Sequence, residues 1–474
     1  MATRKKYHRI SVSSGEQSID RAFDFLMEIL KRPTLGLYVR HVECHEPLSW
    51  YTDYEETKPM RDLSSDEITL IRGAVRKAGF VGLKEDRVVN MLMQRLESEV
   101  FHYERDVNAT FVTQALTAMI IVASPNIVSL ATTDPNSRMS SLEFPLEKVF
   151  RQANANPENT LYLRNLRSVY MISKTNSTFE DGRFYVGMDL HAFLRFFNNL
   201  PSIESISTDA VEDYPQGEYD LEKASSNISR IFFHHSSLGS LPLAGLIWSC
   251  KALKEFQYSI GGRSSNDGGY PIFNPKAIVK ALCDHKDTIE VIDIDTESRI
   301  YAFLQLDEED REHDLNQYGS PYEEGIGEDS RQFLALIWKN SGSLKEFVAL
   351  KRLSLGVNFL LYFAQGVSVS FDHPREGLNV ATCLPNSLEY LCVRGYEKGE
   401  NKEHDEQMNA LMAFYKSGQS QLKELKGIEE TIPNADHVDD PDGNDHLLWS
   451  LKESGDEDEE DEEDEEDEED EEER

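Results

Sequence analysis

Phe347-Val-Ala-Leu-Lys-Arg-Leu-Ser-Leu355 carries apolar side chains at Phe347, Leu350, Leu353 and Leu355. The first two gaps are three residues, a turn-like or helical spacing, and the last is two, the spacing of a strand. One short segment therefore bends in and then runs straight, with Leu353 and Leu355 on one side of it. That is the spacing of a leucine-rich repeat, whose strand lines one wall of a curved stack. A single copy arises by chance, so the fold depends on whether the spacing recurs.

It recurs along the chain. Downstream, Leu388, Leu391 and Val393 repeat it after the turn Leu384-Pro-Asn, and Leu422 and Leu425 form a weaker copy. Upstream, Ile289, Ile292 and Ile294 precede it, as do Leu253, Phe256 and Tyr258, and Ile228, Ile231 and Phe233. Earlier copies are Leu200, Ile203 and Ile206; Leu163, Leu166, Val169 and Met171; and Ile127 and Leu130 with Thr132. Successive copies lie about 25 to 40 residues apart, with one gap of about 60, a period that signals a stack of repeated units. Helical spacing appears between them, at Leu241–Cys250, Pro275–His285 and Asp405–Lys416, and over Leu190–Asn199. The expected fold is α/β: a leucine-rich repeat solenoid with a curved parallel sheet, outer helices and irregular repeats. A doubly wound sheet also alternates strand and helix and stays open as the alternative.

The beginning of the chain reads strand, helix, strand over His8–Val12, Ser18–Leu30 and Leu35–Val42. Ser64-Ser-Asp-Glu67 is a capping signal for a helix to Lys77, and two further helices are expected over Arg87–Tyr103 and Ala109–Val122. Leu306–Glu328, rich in Asp, Glu, Gly and Tyr, reads as an exposed insertion, and Gly261–Gly269 as a loop.

All eighteen residues from Asp456 to Glu473 are Asp or Glu. Removing them from a formal net charge of −37 leaves −19 for the rest, so the body is acidic in its own right. Phosphate binding needs clustered Lys and Arg, which disfavours nucleic acid as a partner. Adjacent carboxylates repel one another and bury nothing, so residues 431–474 are expected to form a disordered acidic tail behind a body spanning residues 6–430. Such a tail attracts Lys/Arg-rich proteins or serves solubility. Within it, His446–Leu451 is an apolar island, read either as a docking segment for a partner or the body or as an incidental cluster. Five scattered cysteines, an odd number with no C-x-x-C pair and no apolar leader before them, fit a reduced cytoplasmic or nuclear compartment. The apolar run near Ala115–Ala123 is too short to span a bilayer, so no membrane role is expected.

His8-Arg-Ile-Ser-Val12, the following helix, Lys31-Arg-Pro-Thr-Leu-Gly-Leu-Tyr-Val-Arg-His-Val42, and Leu282-Cys-Asp-His-Lys-Asp-Thr-Ile-Glu-Val-Ile-Asp-Ile-Asp295 resemble fungal F-box/leucine-rich-repeat proteins. The resemblance covers most of residues 6–426 and implies a receptor that selects substrates for a ubiquitin ligase. The F-box itself, a short helical module with a Leu-Pro signal, should precede His8 and is not seen in this chain, so docking on the ligase core in the usual way is not implied. A repeat body with an acidic tail is also similar in architecture to the acidic nuclear phosphoproteins that bind histones.

No catalytic constellation emerges. Gly261–Gly269 lacks the Gly-Lys-Ser/Thr of a phosphate cradle, and Gly-x-Ser-x-Gly is absent. His234-His235 has no partner at metal-ligand spacing, and Asp439–Asp445 lacks the glycine and glutamate positions of a calcium loop. We therefore expect a non-enzymatic protein needing no cofactor and no metal. In the repeat template, residues flanking the last two apolar positions face the open wall of the sheet. They are Ser168, Tyr170, Arg230, Phe232, Glu255, Gln257, Asp293, Asp295, Arg352, Ser354, Tyr390 and Arg394. Their mixture of aromatic, Arg and acidic residues suits protein recognition. Arg352 and Ser354 are expected to be exposed, and Leu350, Leu353 and Leu355 buried. The competing expectation is a histone-binding, chaperone-like protein acting through its tail.

Overall fold

The computed structural model describes residues 6–46, 54–56, 60–95, 102–135, 144–174, 182–213, 221–265, 270–271, 273–304, 308–317, 320–321, 327–367 and 377–438. The acidic run and the apolar island lie outside them. Among the described residues thirteen strands follow one another: β1 (Arg9–Val12), β2 (His41–Cys44), β3 (Ser129–Thr132), β4 (Ser168–Met171), β5 (Val186–Met188), β6 (Ser205–Asp209) and β7 (Val211–Asp213). Then come β8 (Arg230–His234), β9 (Glu255–Ser259), β10 (Val291–Asp295), β11 (Arg352–Gly356), β12 (Tyr390–Arg394) and β13 (Glu424–Lys426). Eleven of them form one sheet in the order β1-β2-β3-β4-β6-β8-β9-β10-β11-β12-β13, and β5 pairs with β7 in a small separate ladder. Each pairing in the large sheet is parallel. Spatial order follows chain order throughout. Among the described strands the order never reverses, so they form no switch point of the kind that places ligands in doubly wound folds.

The apolar spacing explains the register. Ile10, Val42, Leu130, Val169, Ile206, Ile231, Phe256, Ile292, Leu353, Leu391 and Leu425 form one row across all eleven strands. Two residues on, Met171, Thr208, Phe233, Tyr258, Ile294, Leu355 and Val393 form a second row on the same face. Leu350, Leu353 and Leu355 are wholly buried, as their spacing requires. Thr132 and Thr208, where the pattern turns polar, are also buried, and each hydroxyl donates to a carbonyl, Thr133 at 3.0 Å and Met171 at 2.9 Å respectively. A buried hydroxyl is tolerated only with such a partner. The strand rows share one continuous core with helices that include Glu16–Lys31, His102–Ala123, Ser240–Ser249 and Val357–Gln365.

Local structure departs from expectation in several places. The expected strand Leu35–Val42 is a 3-10 helix over Pro33–Tyr38 followed by β2. Proline opens it, and Gly36 lies against the Ala123 carbonyl where a side chain would collide. The expected helix Arg87–Tyr103 ends at Met93, because Gln94 turns extended (φ −60°, ψ 133°) and bridges Met60. The next helix runs His102–Ala123. The expected helix Leu190–Asn199 stops at Leu194 and continues as turns. The insertion Leu306–Glu328 contains a helix, Glu308–Gln317. Ser64 and Glu67 form the reciprocal capping box their spacing announced. Among the described residues no helix is long and apolar enough to cross a membrane.

Residues 431–438, assigned by composition to the tail, run back across the ends of β9 and β10. We call this segment the strap. The Asp436 carbonyl accepts from the Gly262 amide (3.0 Å), the Val438 amide donates to Arg263 (3.0 Å), and the Ala435 amide donates to Asp295 Oδ1 (3.1 Å). Gly261 takes φ +113° beneath it, with the Asp436 backbone where a Cβ would stand. Composition could not separate these eight residues from the acidic run, because backbone hydrogen bonds and one histidine hold them rather than apolar spacing.

Candidate functional site

Alternate residues of each strand point away from the core, and parallel register brings them into rows. Ser168, Ser205, Arg230, Glu255, Val291, Arg352 and Tyr390 make the first row. Tyr170, Ser207, Phe232, Gln257, Asp293, Ser354 and Cys392 make the second. The third runs along the strand ends, with Asp209 beside His234, Ser259 beside Asp295, and Gly356 beside Arg394. Every residue placed on the open wall by the sequence falls in one of these rows.

Their exposure differs. Arg352 is exposed, and Ser168, Tyr170, Arg230, Phe232, Glu255, Gln257, Asp293, Tyr390 and Arg394 are half-buried. Ser354 and Asp295 correct the expectation: they are only 5% and 8% exposed. Arg394 explains Asp295. Its guanidinium crosses from β12 over β11 to β10, meeting Asp293 at 2.8 Å and Asp295 at 3.4 Å. The strap seals Asp295 from the other side through Ala435. Burial, opposed by Arg394, pushes the Asp295 carboxyl above its ordinary range. Burial pulls Arg394 down, but its bond to Asp293 and the two carboxylates outweigh that and hold it above its ordinary value.

Three smaller assemblies share the face. Arg352 lies over the Tyr390 ring at 4.2 Å, a cation–π contact. Arg230 sits between Glu204 (3.5 Å) and Glu255 (3.6 Å), and Glu255 also accepts from Gln257 at 2.8 Å. Asp209 accepts from the Tyr170 hydroxyl (3.2 Å) and faces His235 Nδ1 (3.2 Å). His235 is in the left-handed region (φ 46°), as is Ala210 (φ 56°) just after β6. Such backbone strain in non-glycine residues redirects the chain, and here it turns His235 toward Asp209.

At the strand ends a cleft of about 270 Å³ is lined by His234, His235, Gln257, Asp293, Asp295 and Arg394, with Ala435 of the strap at its rim. Beyond the strap lies a larger cavity of about 930 Å³, lined among others by Tyr270, Glu297, Asn358, His404 and Asn434. Ala435 lines both, and the next strap residue but one, His437, lines the larger. It stacks on Tyr270 (3.8 Å between centroids), and its Nε2 accepts from Arg299 Nε at 2.8 Å. Its Nδ1 therefore carries the proton and donates to the Tyr185 hydroxyl at 2.7 Å. Burial, with Arg299 adding to it, pushes His437 down to about 3. Arg299 is itself buried and bonds Ser237 Oγ (2.7 Å) and the Pro271 carbonyl (2.9 Å).

In the larger cavity, Glu297 closes the N-terminus of helix Val357–Gln365. Its carboxylate accepts from the Asn358 backbone and side chain, both at 2.7 Å, and from the Phe359 amide at 3.4 Å. It occupies the space a side chain on Gly356 would need. Burial pushes it up to about 7 despite those bonds.

Among the described residues, no group of three or more His, Cys, Asp or Glu side chains is placed to hold a metal ion. Asp209 and the strap were missed from sequence. Asp209 ends a strand whose copy of the repeat carries Thr208 at its last apolar position. No family model matches the chain, and no curated protein matches it significantly.

Proposed function

We propose that the chain is a leucine-rich repeat solenoid that binds a protein partner, without catalysis, through the open face of its large sheet. The strictly sequential parallel order, with one strand per unit, supports the solenoid reading. The observation that carries the function is the face itself: three in-register rows of half-exposed aromatic, Arg and acidic side chains, with Arg352 stacked on Tyr390 as an anchor-like pair. Interfaces concentrate their energy in such Tyr and Arg residues. Selection of substrates for a ubiquitin ligase, in a cytoplasmic or nuclear setting, is the form of this function that the sequence resemblance supports.

The test is affinity capture by the full-length chain, quantified against Arg352→Glu/Tyr390→Ala and against Lys402→Glu on the far helix Lys402–Lys416. Partners lost with the first variant and kept by the second support the proposal. Equal retention by both sinks it. For the ligase form, co-purification with the cullin adaptor is decisive. The second reading, histone binding through the eighteen-carboxylate run, makes a separate demand. Deleting Asp456–Glu473 must abolish retention of core histones and leave open-face partners bound.

A further inference from the structure

The cleft at the ends of β8, β9 and β10 is more specialised than the face around it. About 270 Å³ is below the usual range for small-molecule pockets, about 300–1,000 Å³, and leaves room for one side chain. Within it two carboxylates, Asp293 and Asp295, stand against a single guanidinium, that of Arg394. Asp209, just outside, adds a third carboxylate and is already committed to Tyr170 and His235.

The polar capacity left over is specific. Asp293 gives Oδ1 to Arg394, and its second oxygen accepts from no described residue. Gln257 gives one amide N–H to Glu255, leaving its carbonyl oxygen as an acceptor and a second N–H as a donor. Neither ring nitrogen of His234 has a hydrogen-bond partner among the described residues, and its only aromatic contact is with His235 at 6.3 Å. Burial holds His234 below its ordinary value, so it presents a neutral imidazole with one acceptor nitrogen. Ser354, in register beside Asp293 on the same face, is 5% exposed, and its hydroxyl has no hydrogen-bond partner among the described residues. A buried unpartnered hydroxyl is costly and asks for an explanation. The free groups thus include three acceptors, the second Asp293 oxygen, the Gln257 carbonyl oxygen and one His234 nitrogen, beside the net negative charge of two carboxylates against one guanidinium. Phe232, in register with Gln257 and half-exposed, offers an aromatic surface along which an aliphatic stem can lie.

We infer that this cleft seats a single basic side chain, arginine or lysine, presented by a partner polypeptide, with Asp293, Gln257 and His234 as its acceptors. This rests on the reading of the open face as a protein-binding surface and names what that surface recognises at its centre. The strap supplies an independent observation of the same sign. Ala435 lines the cleft, and Val438, three residues on, is bonded to Arg263. Asp456 follows eighteen residues later, and even a fully extended chain keeps it within about 60 Å of Val438. Chain connectivity thereby ties the start of the acidic run to within that distance of Val438. The run draws basic segments by long-range attraction, and the cleft selects one side chain by contact.

The experiment uses the full-length chain with ¹³C-labelled histidine, the His234 signal being assigned by its loss in His234→Ala. The probes are the peptides acetyl-Gly-Ser-Arg-Ser-Gly-amide, its lysine counterpart, and its citrulline counterpart, which keeps the shape of arginine without the charge. The expected result at about 10 mM peptide is a saturable shift of His234 with arginine or lysine and none with citrulline. Asp293→Asn, whose side chain is partly exposed and whose fold is checked by thermal unfolding, weakens that binding at least about tenfold. An unmoved His234, an equal shift with citrulline, or peptide retained with His234 unmoved (binding by the tail alone) each overturns the inference. The Arg352 and Tyr390 variants report on the wider face separately, so loss of the cleft leaves that reading standing or falling on its own test.

Discussion

Gly356 ends β11 and precedes helix Val357–Gln365, and Gly356→Ala is the sharpest test of how the sheet and that helix are joined. The backbone there (φ −67°) accepts any residue, so the cost is steric. A new Cβ would overlap the Glu297 carboxylate and stand 2.6 Å from the Glu297 Cβ. Two terms follow. Forcing an extra methyl into a packed site costs about 1–3 kcal/mol. Displacing Glu297 also uncaps the helix, worth about 0.5–2 kcal/mol. Together they predict about 2–4 kcal/mol of destabilisation. The assay is a double-mutant cycle by urea unfolding, with Glu297→Gly as the second change, because the Glu297 Cβ itself stands in the way. In that background the methyl has room, so Gly356→Ala should cost under about 1 kcal/mol, leaving a coupling of about 2 kcal/mol or more. Equal costs in both backgrounds, or a cost near zero in the wild type, would refute the packing argument.

Other perturbations have comparable readouts. Glu297 sits at about 7 where an unfolded chain holds a glutamate near 4.5, so the native state binds the proton more tightly. Its contribution is full below pH 4.5 and is lost as pH rises through 7, a fall of about 3 kcal/mol that Glu297→Ala should remove from the pH profile of urea unfolding. His437 has the opposite sign, since its native value near 3 lies below the ordinary 6.5. Strap docking should therefore weaken as pH falls below 6.5, by about 2 kcal/mol at pH 5, read as faster hydrogen exchange at the Gly262 and Val438 amides after correction for intrinsic rates. Burial pushes the Cys44 thiol to about 11 and those of Cys250 and Cys283 to about 12, while Cys383 alone is half-buried. Native-state alkylation should mark Cys383 first, and early labelling of Cys250 would contradict its burial.

The strands β3, β4, β6 and β8 to β13 were legible because each repeats one physical demand, which β5 and β7 do not carry. Two side chains spaced by two must enter the core, and a third, three residues earlier, must close the turn. Leu353, Leu391, Ile292 and Phe256 met that demand, and their alignment into one row follows from it. Leu425, from the weakest copy, still pairs with Leu391. The open-face residues were legible for the same reason, since alternation places them without further information. What the pattern could not show is which of them meet. Arg394 and Asp293 lie 101 residues apart, and their contact across β11 needs the register of three strands. Ser354 looked exposed because alternation reports direction and not cover. Helix ends went astray where one side chain or close approach decides the matter, as Gln94 and Gly36 do.

The strap also sets an order in time. Each ladder of the large sheet joins strands that are neighbours along the chain, apart from the small β5–β7 excursion, so each can form once its own unit has left the ribosome. Closing such loops costs entropy that grows only with the logarithm of their length. The strap is different. His437 meets Tyr185 across 252 residues and Arg299 across 138, and it is synthesised after every strand it crosses. Until it arrives, the cleft has no Ala435 rim, and Asp295 lacks the amide that the strap brings. The open face is thus completed last, by the segment that precedes the acidic run in the chain.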